Sequence, residues 1–178
     1  ALERWRPWSV TGMCDASVWG ACLASRGNYG YLPGAGTRPL EEHMLTEAIR
    51  GGRSFMSTGP FLAVTLRSDS EDIGLGGLFR GGRGELHVQI DAAPWVSVEK
   101  LTVWVNGKIY RQLKASAGDH KVIDLITDGD AYVVVEVEGS PGTVYRALMP
   151  GLAPLALSNP IYIDGDSDGQ WRAPLAMN

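Results

Sequence analysis

From residue 61 onward the chain alternates. Phe61 to Arg67 sets Leu62, Val64 and Leu66 on one side. Glu85 to Asp91 sets Leu86, Val88 and Ile90 on one side and Glu85, His87 and Gln89 on the other, and Leu101, Val103 and Val105 repeat the pattern. A period of two is the side-chain period of a strand, and one apolar side marks a strand lying on a core. Asn106-Gly107 then parts two such runs. Both residues accept positive φ, so the pair predicts a tight hairpin with Ile109 to Leu113 as the return strand. Lys121 to Ile126, Ala131 to Glu138, Thr143 to Leu148 and Ile161 to Ile163 continue the series, separated by Asp/Gly and Ser-Pro-Gly turns. Roughly seven or eight short strands spaced in this way are expected to form an antiparallel β-sandwich of the immunoglobulin-like kind.

Ahead of residue 60 the chain is rich in Gly and Trp, and its periodicity is helical. Leu40, Met44, Leu45, Ala48 and Ile49 recur on one face, which predicts a helix over 38–51. Thr37 can cap it, Pro39 suits its first turn, Glu41 and Glu42 sit near the positive end of its dipole, and Gly51 and Gly52 stop it. Two parts are expected, 1–60 and 61–178. A chain of 178 residues buries roughly 70% of its unfolded surface, so its core needs no disulfide or metal to hold.

The net charge of −4 gives no electrostatic reason to expect nucleic acid or an anionic membrane as partner. The basic stretch Arg80 to Arg83 is short and reads as an inter-strand loop. No apolar run approaches the ~20 residues that span a bilayer. Ala1 to Arg6 does not have the character of a signal peptide. Cys14 and Cys22 could close a disulfide or lie buried as two small hydrophobes, and two thiols alone make no structural zinc site.

Three segments carry a resemblance. They are Trp8-Ser-Val-Thr-Gly-Met-Cys-Asp-Ala-Ser17, the run Glu47-Ala-Ile-Arg-Gly-Gly-Arg-Ser-Phe-Met-Ser-Thr-Gly-Pro-Phe61, and Leu157-Ser-Asn-Pro-Ile-Tyr-Ile-Asp164. In order and spacing they resemble the C-terminal part of PHP-superfamily metallohydrolases of the CehA/McbA type, across nearly the whole chain. The resemblance implies that residues 1–60 are the end of a PHP-like α/β barrel and that 61–178 are the sandwich that follows it. It also implies a metal-site role for Asp15. The family's histidine two positions later is Ser17 here, a poor ligand for the ions such sites use. The family's other ligands, a His-x-His pair among them, come from barrel strands before this segment. A water-activating centre needs three or four ligands with an open position, so a transition metal is not expected of this chain alone.

Asp164-Gly-Asp-Ser-Asp-Gly169 has the ligand spacing of the first half of a calcium loop, with Asp164, Asp166 and Asp168 at alternate positions and Gly169 at the sixth. Position twelve holds Leu175 rather than Glu, which excludes a complete EF-hand. Calcium at these three aspartates is the one cofactor the sequence suggests. Trp95 and Trp104 could stack on sugars or pack on the sheets. His43 and His87 read as solvated helix and strand residues. No nucleophile elbow, phosphate loop or dinucleotide fingerprint occurs.

The expected function is therefore a non-catalytic β-sandwich module that binds or assembles with another protein. One alternative is the tail of a metal-dependent, phosphoesterase-like hydrolase whose barrel lies elsewhere. The other is a carbohydrate-binding module using Trp95 or Trp104. The family and the sandwich together point to a secreted or periplasmic location.

Overall fold

A computed structural model of the chain describes residues 27–30 and 41–174. Cys14, Asp15, Ser17, Cys22, Thr37, Pro39, Leu40 and Leu175 lie outside the described residues. The strands are β1 (Gly27–Gly30), β2 (Ser54–Ser57), β3 (Phe61–Arg67), β4 (Asp72–Gly74), β5 (Leu78–Arg80) and β6 (Arg83–Asp91). They continue with β7 (Lys100–Val105), β8 (Lys108–Lys114), β9 (His120–Ile126), β10 (Ala131–Glu138), β11 (Leu155–Ser158) and β12 (Ile161–Asp164). Helix α1 (Glu42–Arg50) precedes β2, and α2 (Thr143–Leu148) follows β10. Among the described residues no helix is long and apolar enough to cross a membrane.

The strands form two sheets. In the smaller the order is β4-β3-β6-β9, antiparallel throughout. The larger is built around β10, which pairs along one edge with β7 and through it with β8. Its other edge is shared. β11 pairs with residues 136–138 and leads on to β2 and β1, while β12 pairs with residues 131–133 and leads on to β5 in parallel. Asn159-Pro160 breaks the two pairings apart, because proline cannot donate to a ladder. At the break the Ser158 hydroxyl accepts from the Val135 amide at 2.9 Å, supplying the partner that the interrupted ladder lacks.

Each sheet turns one apolar face inward. Leu62, Leu66, Leu86, Val88 and Ile90 from the smaller sheet and Leu101, Val103, Val137 and Ile161 from the larger are all 0% exposed. Each such side chain contributes about 1.5–3 kcal/mol of burial, and truncating Leu86 to Ala is worth roughly 2–5 kcal/mol. The architecture is thus a two-sheet β-sandwich. Asn106 and Gly107 turn the hairpin between β7 and β8 with φ of 51° and 74°, as the sequence predicts.

Three elements differ from the sequence expectation. Thr143–Leu148, expected as a strand, is helix α2, started after Gly142. Helical spacing buries Tyr145 and leaves Val144 and Leu148 exposed, and the Tyr145 hydroxyl donates to the Thr58 carbonyl at 2.8 Å. The short apolar run fits either period, and one buried aromatic decides it. Helix α1 starts at Glu42, later than expected, with Glu41 as an extended N-cap residue. Ser54–Ser57, ahead of the expected boundary at 60, is a strand of the larger sheet, hydrogen-bonded to β11.

The segment Ser57-Thr58-Gly59-Pro60 carries the chain from one sheet to the other. The Ser57 hydroxyl accepts from the Gly59 amide at 2.8 Å and donates to the Pro60 carbonyl. Thr58 Oγ1 donates to the Ala153 carbonyl at 2.8 Å and accepts from the Leu155 amide at 2.9 Å. Nearby, Gly76 sits at φ +76°, where a Cβ would lie 1.8 Å from the Gly51 carbonyl oxygen. Only glycine allows the β4–β5 turn to close on the end of α1.

Candidate metal centre

Three turns are stacked at one end of the sandwich: 81–82 between β5 and β6, 127–130 between β9 and β10, and 165–169 after β12. The Gly81 amide donates to the Asp164 carbonyl at 2.9 Å, and the Thr127 amide to the Gly82 carbonyl at 2.7 Å. Gly165 presses on Gly129 so closely that a Cβ would stand 2.2 Å from its carbonyl oxygen. This approach sets Asp130 beside Asp164 and Asp166.

One carboxylate oxygen from each of Asp130, Asp164 and Asp166 lies within 4.8 Å of the other two. Asp164 is 0% exposed. Its Oδ1 accepts from the Asp168 amide at 3.1 Å and its Oδ2 from the Gly169 amide at 2.8 Å. Asp166 Oδ1 also accepts from the Asp168 amide, at 3.2 Å. Asp130 Oδ2 accepts from the Arg172 amide, whereas its Oδ1 is buried with no hydrogen-bond partner. A buried, unpaired carboxylate oxygen costs several kcal/mol unless a proton or a cation shares it. Ca2+ takes oxygen ligands at about 2.3–2.6 Å, so oxygens up to about 5 Å apart can flank one ion.

Of the aspartates the sequence nominates, Asp164 and Asp166 come together and Asp168 turns aside. Its Oδ1 accepts from the Gln170 amide at 2.8 Å and its Oδ2 takes the Arg172 guanidinium. That guanidinium, helped by the Gln170 amide, holds the Asp168 carboxyl below the usual carboxylate range. Asp130 takes the third place. Asp128-Gly129-Asp130 marks a turn in the sequence, but nothing there indicates which turn it meets. The C-terminal side of the loop is anchored by Trp171, whose Nε1 donates to the Ala131 carbonyl at 2.8 Å and whose ring packs on Tyr162 at 4.8 Å.

Trp95 and Trp104 have separate surroundings. Trp95, in the loop after β6, packs on Tyr145 with ring centroids 6.0 Å apart. Trp104, on β7, donates from Nε1 to Glu136 on β10 at 2.7 Å. His43 lies exposed on α1, 3.2 Å from Glu41. His87 is more enclosed than its alternating position suggests, with a side chain 16% exposed. On its face of the smaller sheet a shallow depression of about 480 Å3 is lined by Arg67, Asp72, Arg83, Glu85, His87 and Asp124.

No family model, curated protein or solved structure matches the chain.

Proposed function

We propose that this protein is a non-catalytic β-sandwich module that binds or assembles with another protein, one end of it fixed by a Ca2+-class cation. The observation that carries the reading is the clustering of the Asp130, Asp164 and Asp166 carboxylates, in which Asp130 also has a buried, unpartnered Oδ1. All three ligands are hard oxygens, which suit Ca2+ rather than a thiophilic or imidazole-seeking metal. The ion would tie the β9–β10 turn to the loop after β12, and turns held rigid by a scaffold are where sandwich domains commonly present binding surfaces. The partner side of the proposal draws support from the outer face of β9, the last strand of the smaller sheet among the described residues, where Val122 and Ile126 are half exposed. Exposed apolar side chains on a sheet face offer another protein a surface to bury.

Calorimetric titration of the metal-stripped protein with CaCl2, with the mass of the native complex measured in parallel, tests both halves. One Ca2+ per chain, lost in Asp130→Asn, together with a stoichiometric protein partner, supports the proposal. A lone monomer that takes up no calcium sinks it.

A second reading, kinship with the tail of PHP-type metallohydrolases, is favoured by one contact. Asn159 of the Asn-Pro-Ile-Tyr element is hydrogen-bonded to Ser54 of the Gly-Arg-Ser-Phe element. Two of the three segments that carry the resemblance are thus joined in one structural unit. Intact mass and transition-metal analysis of the protein from its native source test this reading. A longer chain whose transition metal is held by an upstream His-x-His pair favours it, and a chain of this length counts against it.

A further inference from the structure

We propose that the outer face of the smaller sheet holds a second, chemically distinct site: a cross-strand histidine pair, His87 and His120, that takes one late first-row transition-metal ion such as Zn2+ or Cu2+. The two residues are 33 positions apart in sequence, yet His87 Nδ1 lies 3.2 Å from His120 Nε2. The pairing of β6 with β9 fixes this. Gln89 stands opposite His120 and His87 opposite Val122, so the two imidazoles are diagonal neighbours on one face. Metal–nitrogen bonds of about 2.0–2.1 Å place two ligands about 2.9 Å apart at a right angle and about 3.3 Å apart at the tetrahedral angle. The observed separation falls between them.

The carboxylate of Glu85 lies 3.4 Å from the other ring nitrogen of His87, Nε2. Holding a proton there leaves the Nδ1 lone pair turned toward His120, the carboxylate–histidine arrangement that orients metal-bound imidazoles elsewhere. Glu85 is thus a positioning residue. Two imidazole nitrogens select Zn2+, Cu2+ or Ni2+ over Ca2+, opposite to the oxygen-only set at the sandwich end. His120 is exposed, so water can complete the coordination sphere.

The test is titration of the full chain with ZnCl2, with an electron paramagnetic resonance spectrum of the Cu2+-loaded protein. The expected result is a Zn2+ site that survives Asp166→Asn and weakens at least tenfold in His120→Ala, an exposed position whose loss leaves the core intact. Glu85→Gln should weaken it about tenfold at unchanged stoichiometry. The Cu2+ spectrum should show coupling to two imidazole nitrogens, a signature that needs no variant. A Zn2+ isotherm unchanged in His120→Ala, no Zn2+ binding at all, or a Cu2+ spectrum with oxygen ligands alone would overturn the proposal. The calcium reading would be untouched by any of these.

Discussion

The side-chain amide of Asn159 donates to both the carbonyl and the hydroxyl of Ser54, each at 2.9 Å, across 105 residues of sequence. The Asn159 backbone amide donates to the same carbonyl at 3.1 Å, and both residues are 0% exposed. Ser54 opens β2 and Asn159 sits in the break between β11 and β12, so the contact locks the shared edge of the larger sheet. Asn159→Ala would leave the Ser54 hydroxyl oxygen buried and short of a donor, at a cost of about 1–3 kcal/mol. Thermal melting should show the loss as a lowered midpoint with an unchanged far-ultraviolet spectrum. A midpoint equal to that of the parent protein would show the pair to be dispensable.

The legible parts of the fold are those with one wet and one dry face. β3, β6 and β10 have long alternating runs, and the structure buries the side the alternation names. Asn106-Gly107 was equally readable, because few other residue pairs accept two positive φ values in succession. Short elements carry too few residues to show a period. β4 and β5 have three residues each, and Thr143–Leu148 fits helix and strand alike until Tyr145 is seen to need the Thr58 carbonyl. The same division runs through the aspartate cluster. Spacing pointed to Asp164 and Asp166, which share one loop. Asp130 reaches them only because β10 pairs with β12 with Ala131 opposite Ile163, and His87 meets His120 through the β6–β9 register. Contacts made by sheet registry have no local signal.

Calcium and the Asp166 charge should act on stability with opposite signs. Without a cation, three carboxylates within 4.8 Å repel one another, so Asp166→Asn in excess chelator should melt at or above the parent. With saturating calcium the order reverses. At a hundredfold excess over Kd the parent gains about 2.7 kcal/mol and the variant gains little. For a chain of this size that corresponds to roughly 2–4 °C per kcal/mol in melting temperature. Parallel thermal scans of the two proteins in chelator and in calcium check the crossing. If the variant is the less stable in both conditions, the carboxylates do not share an ion.

Asp168 provides the internal control. Its two oxygens are engaged by Gln170 and Arg172 and stand apart from the three clustered carboxylates. Asp168→Asn should therefore keep the calcium response while losing the bond to the Arg172 guanidinium. The Asp168 carboxyl is held low in the folded chain, first by Arg172, so its stabilising effect is present above the ordinary carboxylate range and lost as pH falls through the lowered value. Acid titration followed by fluorescence should show a shallower low-pH decline in the variant. Abolition of calcium binding in Asp168→Asn would instead restore the ligand set suggested by spacing alone.

At the alkaline end, Tyr162 is the group to watch. It lies on β12 opposite Tyr132, packed edge-on against Trp171, and burial pushes its phenol up to about 12. In the unfolded chain the same phenol ionises near 10. Its raised value therefore contributes stability that is complete below pH 10 and is lost as pH rises through 10 toward 12. Spectrophotometric titration of the folded protein should show a late tyrosine step that Tyr162→Phe removes. Denaturant midpoints measured across the same range should fall less steeply in Tyr162→Phe than in the parent. Equal slopes would mean that the loop carrying Trp171 opens before the phenol ionises, which would place the first alkaline unfolding event at the end of the sandwich that holds the Asp130, Asp164 and Asp166 cluster.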